Sequence, residues 1–243
     1  MGTVPLARAI SKLGIASRRQ AIEAILAGRV TVGGRVVTLP GHTVNPERAR
    51  IAIDGEATGQ TPWRTILLNK PRGVVTTRRD PEGRKTIYDV LGDLGGWIAP
   101  VGRLDAATSG LLLLTNDTKL ADWLMDPRNA VVRAYRVTVR GCVSQDERLR
   151  LEKGIVDRGQ TLRAELVTIR KASARETHLI VRLTEGKNRE IRRMFAATGH
   201  DVTALARVAI GALELGQLVP GAWREVGRQE IREVFPAALL RRE

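Results

Sequence analysis

The stretch PVGRLDAATSGLLLLTND, residues 100–117, is the most informative segment of this 243-residue sequence. It places one carboxylate, Asp105, in a turn between the basic Arg103 and a Ser-Gly bend that enters four consecutive leucines. Such an apolar run predicts a buried strand, and a loop braced by buried segments holds a side chain in a fixed position. The loop has no second carboxylate and no histidine, so it offers no paired acid–base chemistry. Spacing alone leaves open that Asp105 only caps the loop.

The flanking segments mix strands and helices. TILLNK (65–70) reads as a buried strand, while AYRVTVRG (134–141) and THLIVRL (177–183) alternate as strands do. Helices are predicted at 86–92, 117–125, 144–152 and 188–198. Because the order lacks a steady βαβ rhythm, we predict an α+β fold with a mixed sheet rather than a doubly wound one.

The first 57 residues read as a small module of their own. A helix is predicted over residues 6–13, and a second one runs from the N-cap Ser17 to Leu26. RVTVGGRVVT (29–38) has the pattern of a β-hairpin around two glycines, and IAID (51–54) reads as a short strand. The predicted order is therefore helix, helix, hairpin, strand.

A linker is predicted between this module and the rest of the chain. ATGQTP, residues 57–62, is small and polar and is closed by a proline. The sequence thus predicts two domains, 1–57 and 62–238, and its length suffices for a sizeable core.

The charge balance points to nucleic acid. The chain has 40 basic and 26 acidic residues and a net charge of +14, and 33 of the basic residues are arginine. Arginine presents a planar fork that pairs with phosphates and stacks on bases. A basic, arginine-dominated chain therefore indicates a nucleic-acid partner, with a generic basic surface as the alternative.

Several other classes of protein are excluded by simple counts. The single Cys142 allows no internal disulfide framework and no cysteine-based zinc site, and the three histidines lack metal-ligand spacing. No P-loop or GxGxxG pattern is present. The N-terminus has no signal-peptide core, and the longest apolar run, Leu111 to Leu114, is far shorter than the ~20 residues of a membrane span. We therefore expect a cytoplasmic protein without a membrane segment.

The N-terminal stretch LARAISKLGIASRRQAIEAILAGRVTVGGRVV resembles the RNA-binding module named after small-subunit ribosomal protein S-four. SRRQA, the AGRVTVGG turn and the trailing IAIDGE carry this resemblance. It implies that the module holds structured RNA by its shape and its phosphates. The residues expected to contact RNA here are Arg18, Arg19, Arg29 and Arg35, a solvated charged face being the alternative.

GRLD followed by TSGLLLLTND is similar to the catalytic motif of RNA pseudouridine synthases of the ribosomal, RsuA/RluB-type branch. Three further stretches match in order, LLNKPRGVVTT (67–77), RAYRVTVRG (133–141) and LTEGKNREIRRMFAATGHDVTALARVAIGALEL (183–215). One departure is visible, because Ala106-Ala107 follows GRLD where the family usually has an acidic residue before the threonine.

The resemblance implies a reaction and three catalytic residues. The family breaks the glycosidic bond of a flipped-out uridine, rotates the uracil and rejoins it through carbon-5, without cofactor or metal. Asp105 would add to the sugar or remove a sugar proton, and the sequence does not choose between these paths. Tyr135 would stack on the base and take the carbon-5 proton, unless it is a core aromatic. Arg192 would pair with Asp105; the alternative for its basic helix is a phosphate-binding face, and the two roles are compatible.

The resemblance also implies partners. Residues expected to contact RNA in the catalytic domain are Lys70, Arg72, Arg103, Lys187, Arg189 and Arg193, whereas His200 reads as structural. We expect a monomer acting on a uridine in a stem-loop of ribosomal RNA or of an assembly intermediate. The module and the chain length favour large-subunit over small-subunit ribosomal RNA. The rival classes are a non-catalytic ribosome-assembly protein and a metal-dependent nuclease.

Overall fold

A computed structural model describes residues 2–57, 62–94 and 96–239 of the chain. Residues 58–61 of the predicted linker lie outside these ranges. The chain forms two compact units, which are not simple halves of the sequence. The first comprises Met1–Thr65, Asp93–Ala99 and Leu114–Ala121, and the second comprises Ile66–Gly92, Pro100–Leu113 and Asp122–Glu243.

The N-terminal part has the predicted order of helix, helix, hairpin and strand. Its elements are β1 (Val4–Pro5), α1 (Leu6–Lys12), α2 (Arg18–Leu26), β2 (Val30–Val32), β3 (Arg35–Val36), β4 (Thr43–Val44), β5 (Ile51–Ile53) and β6 (Glu56–Ala57). A four-stranded sheet has the order β3-β2-β5-β6, and β1 pairs with β4. The short strands β1, β4 and β6 have no counterpart among the sequence predictions.

Local chemistry explains these elements. Ser17 caps α2 through a capping box with Gln20, which satisfies two backbone N–H groups at the helix start. Between β2 and β3, Gly33 and Gly34 have φ of +57° and +81°, as a two-residue hairpin turn demands. The two helices then pack on the sheet through a shared apolar core. Its fully buried members are Leu6, Ala9, Ile10, Ile25 and Val30.

The rest of the chain supplies the larger sheet and its helices. The strands are β7 (Thr65–Lys70), β8 (Ala99–Pro100), β9 (Ser109–Thr115), β10 (Arg133–Arg140), β11 (Ile155–Asp157), β12 (Gln160–Leu162), β13 (Leu166–Ala172), β14 (Glu176–Leu183), β15 (Val202–Ile210), β16 (Leu213–Glu214) and β17 (Trp223–Glu225). The helices are α3 (Ile87–Leu91), α4 (Thr118–Met125), α5 (Gln145–Lys153), α6 (Glu190–Ala196), α7 (Arg228–Val234) and α8 (Pro236–Leu239), with a 3-10 turn at Pro127–Asn129. Every helix in the described ranges is too short or too polar to span a lipid bilayer.

The larger sheet is mixed, as the α+β prediction requires. Its order is β13-β14-β10-β15-β9-β7-β17, with β8 added to β9 and β16 to β15, while β11 and β12 form a separate hairpin. β10 is antiparallel to both β14 and β15, but β9 and β15 run parallel. The four predicted leucines of β9 are fully buried, so this strand is a central element of the core.

A close backbone approach fixes the start of β9. Gly110 lies opposite Arg207 of β15 and has a φ of +99°. A Cβ atom at Gly110 would lie 2.2 Å from the Arg207 carbonyl oxygen, so only glycine fits there. The loop immediately before β9, which carries Asp105, is thereby placed beside β15.

Candidate active site

The loop around Asp105 is held from three sides by hydrogen bonds. The Thr76 hydroxyl donates to the Leu104 carbonyl oxygen at 2.7 Å. The Gly73 amide donates to the Ala106 carbonyl oxygen at 2.7 Å, and Arg192 Nη2 donates to the Ala107 carbonyl oxygen at 3.1 Å. Residues on either side of Asp105 are thus tied down, which fixes the backbone that presents its carboxylate.

A cavity of about 530 Å³ opens beside this loop. Asp105, Tyr135 and Arg192, which lie far apart in the sequence, all line it. Other charged side chains share its wall: Arg103, Arg133, Glu185, Lys187, Arg189, Glu190 and Arg207. The structure therefore brings the three predicted catalytic residues to one concave site, in the size range of pockets that hold small ligands.

The cation beside Asp105 differs from the sequence-based expectation. Within the described part of the chain, the ion pair to Asp105 comes from Arg189, with 3.7 Å between Nη1 and Oδ2. Arg189 lies just before α6 in a left-handed conformation, with φ of +48°. Arg192, the third residue of α6, instead donates to the backbone carbonyls of Ala107 and Val202. Arg189 therefore supplies the ion pair, and Arg192 braces the loop that carries Asp105.

Lys70 occupies a different place from the predicted RNA-facing one. Its side chain is fully buried at the end of β7, and Nζ donates to the carbonyl oxygens of Pro71 and Val74 at 3.0 and 2.6 Å. Burial lowers the pKa of Lys70 to about 8, opposed by the nearby Asp105 charge. The ammonium group thus shapes the turn whose Gly73 amide holds the Asp105 loop, and it is not available to an RNA phosphate.

Tyr135 is held by the larger sheet. It is 9% exposed on β10, opposite Val181 of β14 and Arg207 of β15. Because alternate residues of a strand share a face, Arg133 lies on the same side of β10 as Tyr135. The phenol therefore borders the cavity from a rigid strand, in a region rich in positive charge.

Three charged residues of the cavity, two buried and one half-buried, were not found from the sequence. Arg133, Glu190 and Arg207 line it, and Glu190 and Arg207 are each only 3% exposed. The sequence does contain a signal for Arg207, because this residue interrupts the apolar strand VTALARVAI. Burying a charged side chain among apolar residues is costly unless it has a binding partner or a function. Glu190 is hidden within the basic run NREIRR, where a lone acid looks like an ordinary helix-start residue.

Glu190 is the most strongly perturbed carboxyl group at the site. Burial, together with the neighbouring Glu185 carboxyl group, raises the pKa of Glu190 to about 7. One oxygen accepts from the Lys187 amide at 3.1 Å, while Oε1 is buried without a hydrogen-bond partner. A glutamate that is harder to ionise when folded binds more protons in the folded than in the unfolded state.

Replacing Glu190 by glutamine should therefore stabilise the protein at pH 8. As the pH rises from about 4.5 through 7, the unfolded glutamate ionises first, so the wild type loses stability. The neutral amide carries no such cost, and we expect a gain of about 1–3 kcal/mol at pH 8 that vanishes near pH 4.5. Denaturant unfolding at both pH values measures it, with the exposed Glu214→Gln as control. An equal effect of Glu190→Gln at both pH values would contradict this account.

The remaining RNA-facing predictions in this unit divide into two groups. Arg72 and Arg103 are exposed, and Arg103 lines the cavity. Lys187 is engaged by Glu185 and the Thr161 carbonyl, at 2.6 and 2.7 Å. Arg193 binds Asp157 and Gln160, which fastens the β11–β12 hairpin to α6. Lys187 and Arg193 therefore have structural partners already.

The four arginines predicted to contact RNA in the N-terminal module also differ in their partners. Arg18 and Arg35 are exposed. Arg19 pairs with Glu23 on the surface of α2, and Arg29 pairs with Asp54 across the small sheet. Exposed pairs of this kind are worth little energy, so all four guanidinium groups remain accessible to an anion.

No set of three or more His, Cys, Asp or Glu side chains within the described ranges is arranged to hold a metal ion. The cavity wall carries the partly exposed Asp105 carboxylate, the Tyr135 phenol and several guanidinium groups, together with the cluster of Glu185, Lys187 and Glu190.

Comparison with known proteins identifies the class. The RNA pseudouridylate synthase family matches residues 64–197, and the S4 domain matches residues 4–48. An uncharacterized RNA pseudouridine synthase of Aquifex aeolicus is 38% identical over 99% of this chain and 97% of its own. The ribosomal large subunit pseudouridine synthase B of Bacillus subtilis is 37% identical over 94% of each chain. A crystal structure of a pseudouridylate synthase superposes with a TM-score of 0.66 at 27% identity, covering 95% of this chain and 99% of that one.

The fold and the site define an RNA-modifying isomerase with an attached RNA-binding module. The chain belongs to the RNA pseudouridylate synthase family, and its N-terminal module is an S4 domain.

Proposed function

We propose that this protein converts a specific uridine of large-subunit ribosomal RNA to pseudouridine, with Asp105 as the catalytic carboxylate. The observation that carries this proposal is the shared cavity of Asp105, Tyr135 and Arg192 behind a loop fixed on three sides. The choice of ribosomal RNA rests on relatives such as the large subunit synthase B of Bacillus subtilis, which matches nearly the whole chain.

In the proposed reaction, the target base leaves its stack and enters the cavity. Asp105 then acts on the sugar, either by adding covalently or by removing a sugar proton, and the glycosidic bond breaks. The detached uracil turns within the cavity and its carbon-5 bonds to the sugar, while the bond to Asp105 breaks or, on the other path, Asp105 returns the sugar proton. Tyr135 stacks on the base, and its hydroxyl oxygen takes the carbon-5 proton as its own proton passes to solvent. The ring nitrogen freed by the cleavage gains a proton, so Asp105 is regenerated and the isomerisation is balanced.

The cations around the cavity support this assignment. Arg189 Nη1 lies 3.7 Å from the Asp105 carboxylate, and this ion pair helps to hold the carboxylate at the cavity wall. Flipping a base out of the RNA stack costs about a few kcal/mol, and contacts between the protein and the RNA backbone must offset this cost. A net charge of +14 supplies such contacts, and we propose that the module of residues 1–57 contributes them through its exposed arginines.

An experiment can distinguish the proposed function from two alternatives. The same reaction on small-subunit ribosomal RNA would use the same cavity, whereas a non-catalytic ribosome-assembly protein would need only the RNA-binding surfaces. Mapping pseudouridines in ribosomal RNA from cells with and without the gene decides among them. Loss of one site in large-subunit RNA is the expected result, and an unchanged map would contradict the proposal.

Replacing Tyr135 by phenylalanine should reduce turnover far more than RNA affinity. The ring still stacks on the base, but the hydroxyl that takes the carbon-5 proton is lost, and such assistance is worth about 10²–10⁴-fold in rate. Single-turnover assays should also show a carbon-linked adduct accumulating before proton release. Tyr88→Phe is the matched control, because Tyr88 is the other tyrosine of the chain and does not line the cavity. A lowered melting temperature with unchanged activity per folded molecule would assign Tyr135 to the core instead.

A further inference from the structure

A second cavity, of about 550 Å³, adjoins the one that contains Asp105. The two cavities share Arg189 and Arg192, so α6 begins between them. The second cavity carries four guanidinium groups and one carboxylate on its wall, from Arg72, Arg140, Arg189, Arg192 and Asp201. We refer to it as the arginine cavity.

The positive charge of the arginine cavity is poorly compensated. Arg72 and Arg140 are both exposed, and within the described ranges neither forms an ion pair. Burial lowers the pKa of Arg192, and the charges of Arg189 and Arg72 lower it further, against the opposing effect of Asp105. Arg192 Nε is also buried without a hydrogen-bond partner. Like charges gathered in this way are unfavourable in the unbound protein, and a bound anion would relieve them.

The backbone of this region holds the guanidinium groups in place. Arg192 Nη1 donates to the Val202 carbonyl oxygen at 2.9 Å, and Arg72 Nη1 donates to the Thr203 carbonyl oxygen at 3.4 Å. His200 Nδ1 donates to the Arg140 carbonyl oxygen at 2.8 Å, which fixes the end of β10. The start of β15 therefore anchors the side chains of both Arg192 and Arg72.

We propose that the arginine cavity binds a backbone phosphodiester of the substrate RNA, at the flipped nucleotide or its direct neighbour. Guanidinium forks match phosphate oxygens in geometry and charge. The location follows from the shared wall, since Arg189 Nη1 lies 3.7 Å from the Asp105 carboxylate. This inference rests on the proposed function, because it takes the RNA that enters the Asp105 cavity as the source of the phosphate.

The same site would couple RNA binding to the catalytic loop. Arg192 donates to the Ala107 carbonyl oxygen with one nitrogen and to the start of β15 with another. A phosphate held against Arg192 fixes this guanidinium further, and with it the backbone two residues after Asp105. The arginine cavity thus positions the loop in addition to gripping the strand.

The first test is the salt dependence of RNA binding by an Arg140→Gln variant. Removing one phosphate contact should weaken binding to a ribosomal RNA fragment about tenfold and make the log–log salt slope shallower by about 0.7–0.9. Arg170→Gln is the matched control, an exposed strand arginine that lines neither cavity, and it should change neither quantity. Arg140→Lys, which keeps the charge, should recover most of the slope. Equal behaviour of Arg140→Gln and Arg170→Gln would overturn the proposal.

The second test locates the phosphate. Uncharged methylphosphonate linkages are placed one at a time along the RNA fragment, and affinity is measured for the wild type and for Arg140→Gln. One linkage should weaken wild-type binding about tenfold but barely affect the variant, because the same contact is already lost. Additive losses at every position would overturn the site. Tritium release by the wild type on the unmodified fragment tests the proposed function separately, since it depends on chemistry and not on this coupling.

Discussion

Replacing Asp105 by asparagine should abolish pseudouridine formation while RNA binding survives. The variant keeps the size and shape of the side chain but loses the only carboxylate of the loop, so neither path of sugar chemistry remains open. The cavity contains two other carboxyl groups, Glu185 and Glu190, but both belong to a separate cluster around the Lys187 amide and side chain. Tritium release from carbon-5-labelled uridine in ribosomal RNA measures the loss.

The fold of this variant should be unaffected. The ion pair of Asp105 with Arg189 spans 3.7 Å between partly exposed side chains, and such pairs contribute about 0–1 kcal/mol. RNA affinity should be equal or slightly higher, because a negative charge leaves a basic cavity. The exposed Asp146→Asn, at the start of α5, serves as control and should keep full activity. Near-normal tritium release by Asp105→Asn would remove Asp105 from the catalytic role.

Replacing Gly110 by alanine should strongly destabilise the protein, although it adds only one methyl group. The new Cβ would lie 2.2 Å from the Arg207 carbonyl oxygen and 2.8 Å from the Arg207 amide nitrogen, both rigid backbone atoms. β9 and β15 would have to separate, in addition to the strain of a positive φ. We expect a loss of more than about 4 kcal/mol in the free energy of unfolding, with activity lost as the Asp105 loop shifts.

A matched glycine separates the steric effect from the backbone strain. Gly216 has a φ of +59° in an exposed turn, and a Cβ there would meet no atom within 4 Å. Gly216→Ala should therefore cost only the left-handed penalty of about 1–2 kcal/mol. Denaturant unfolding of both variants measures the difference, and equal losses would show that the approach of β9 to β15 contributes nothing.

The sequence predicted the strands and helices in which buried apolar residues recur at the spacing of a strand or a helix. The strands β7, β9, β10 and β14 and the helices α3 to α6 all appear where alternation or helical spacing placed them. The resemblance to a known family placed Asp105 and Tyr135 at one site, and both line the cavity.

These local patterns could not predict features that depend on contacts between residues far apart in the sequence. The parallel contact of β9 with β15 joins Gly110 to Arg207, and no local signal reports which strand a leucine run will meet. The ion pair of Asp105 depends on where α6 begins, because a start at Glu190 leaves Arg189 outside the helix and free to turn towards the loop. Lys70 looks like a surface residue in sequence, and only the fold reveals that two carbonyl groups bind its ammonium in the interior.

The strand order of the larger sheet also determines when the Asp105 cavity can form during synthesis of the chain. β9 ends at Thr115, but its neighbour in the sheet, β15, begins only at Val202. Likewise, β7 pairs with β17, which comes much later in the chain, at Trp223–Glu225. Contacts of such high sequence separation slow folding, because long loops must close before pairing compensates for the lost entropy. During synthesis, the locally connected S4 domain can fold early, whereas the Asp105 loop acquires its supports only when nearly the whole chain has emerged. The nascent protein therefore becomes able to hold RNA before it becomes able to modify it.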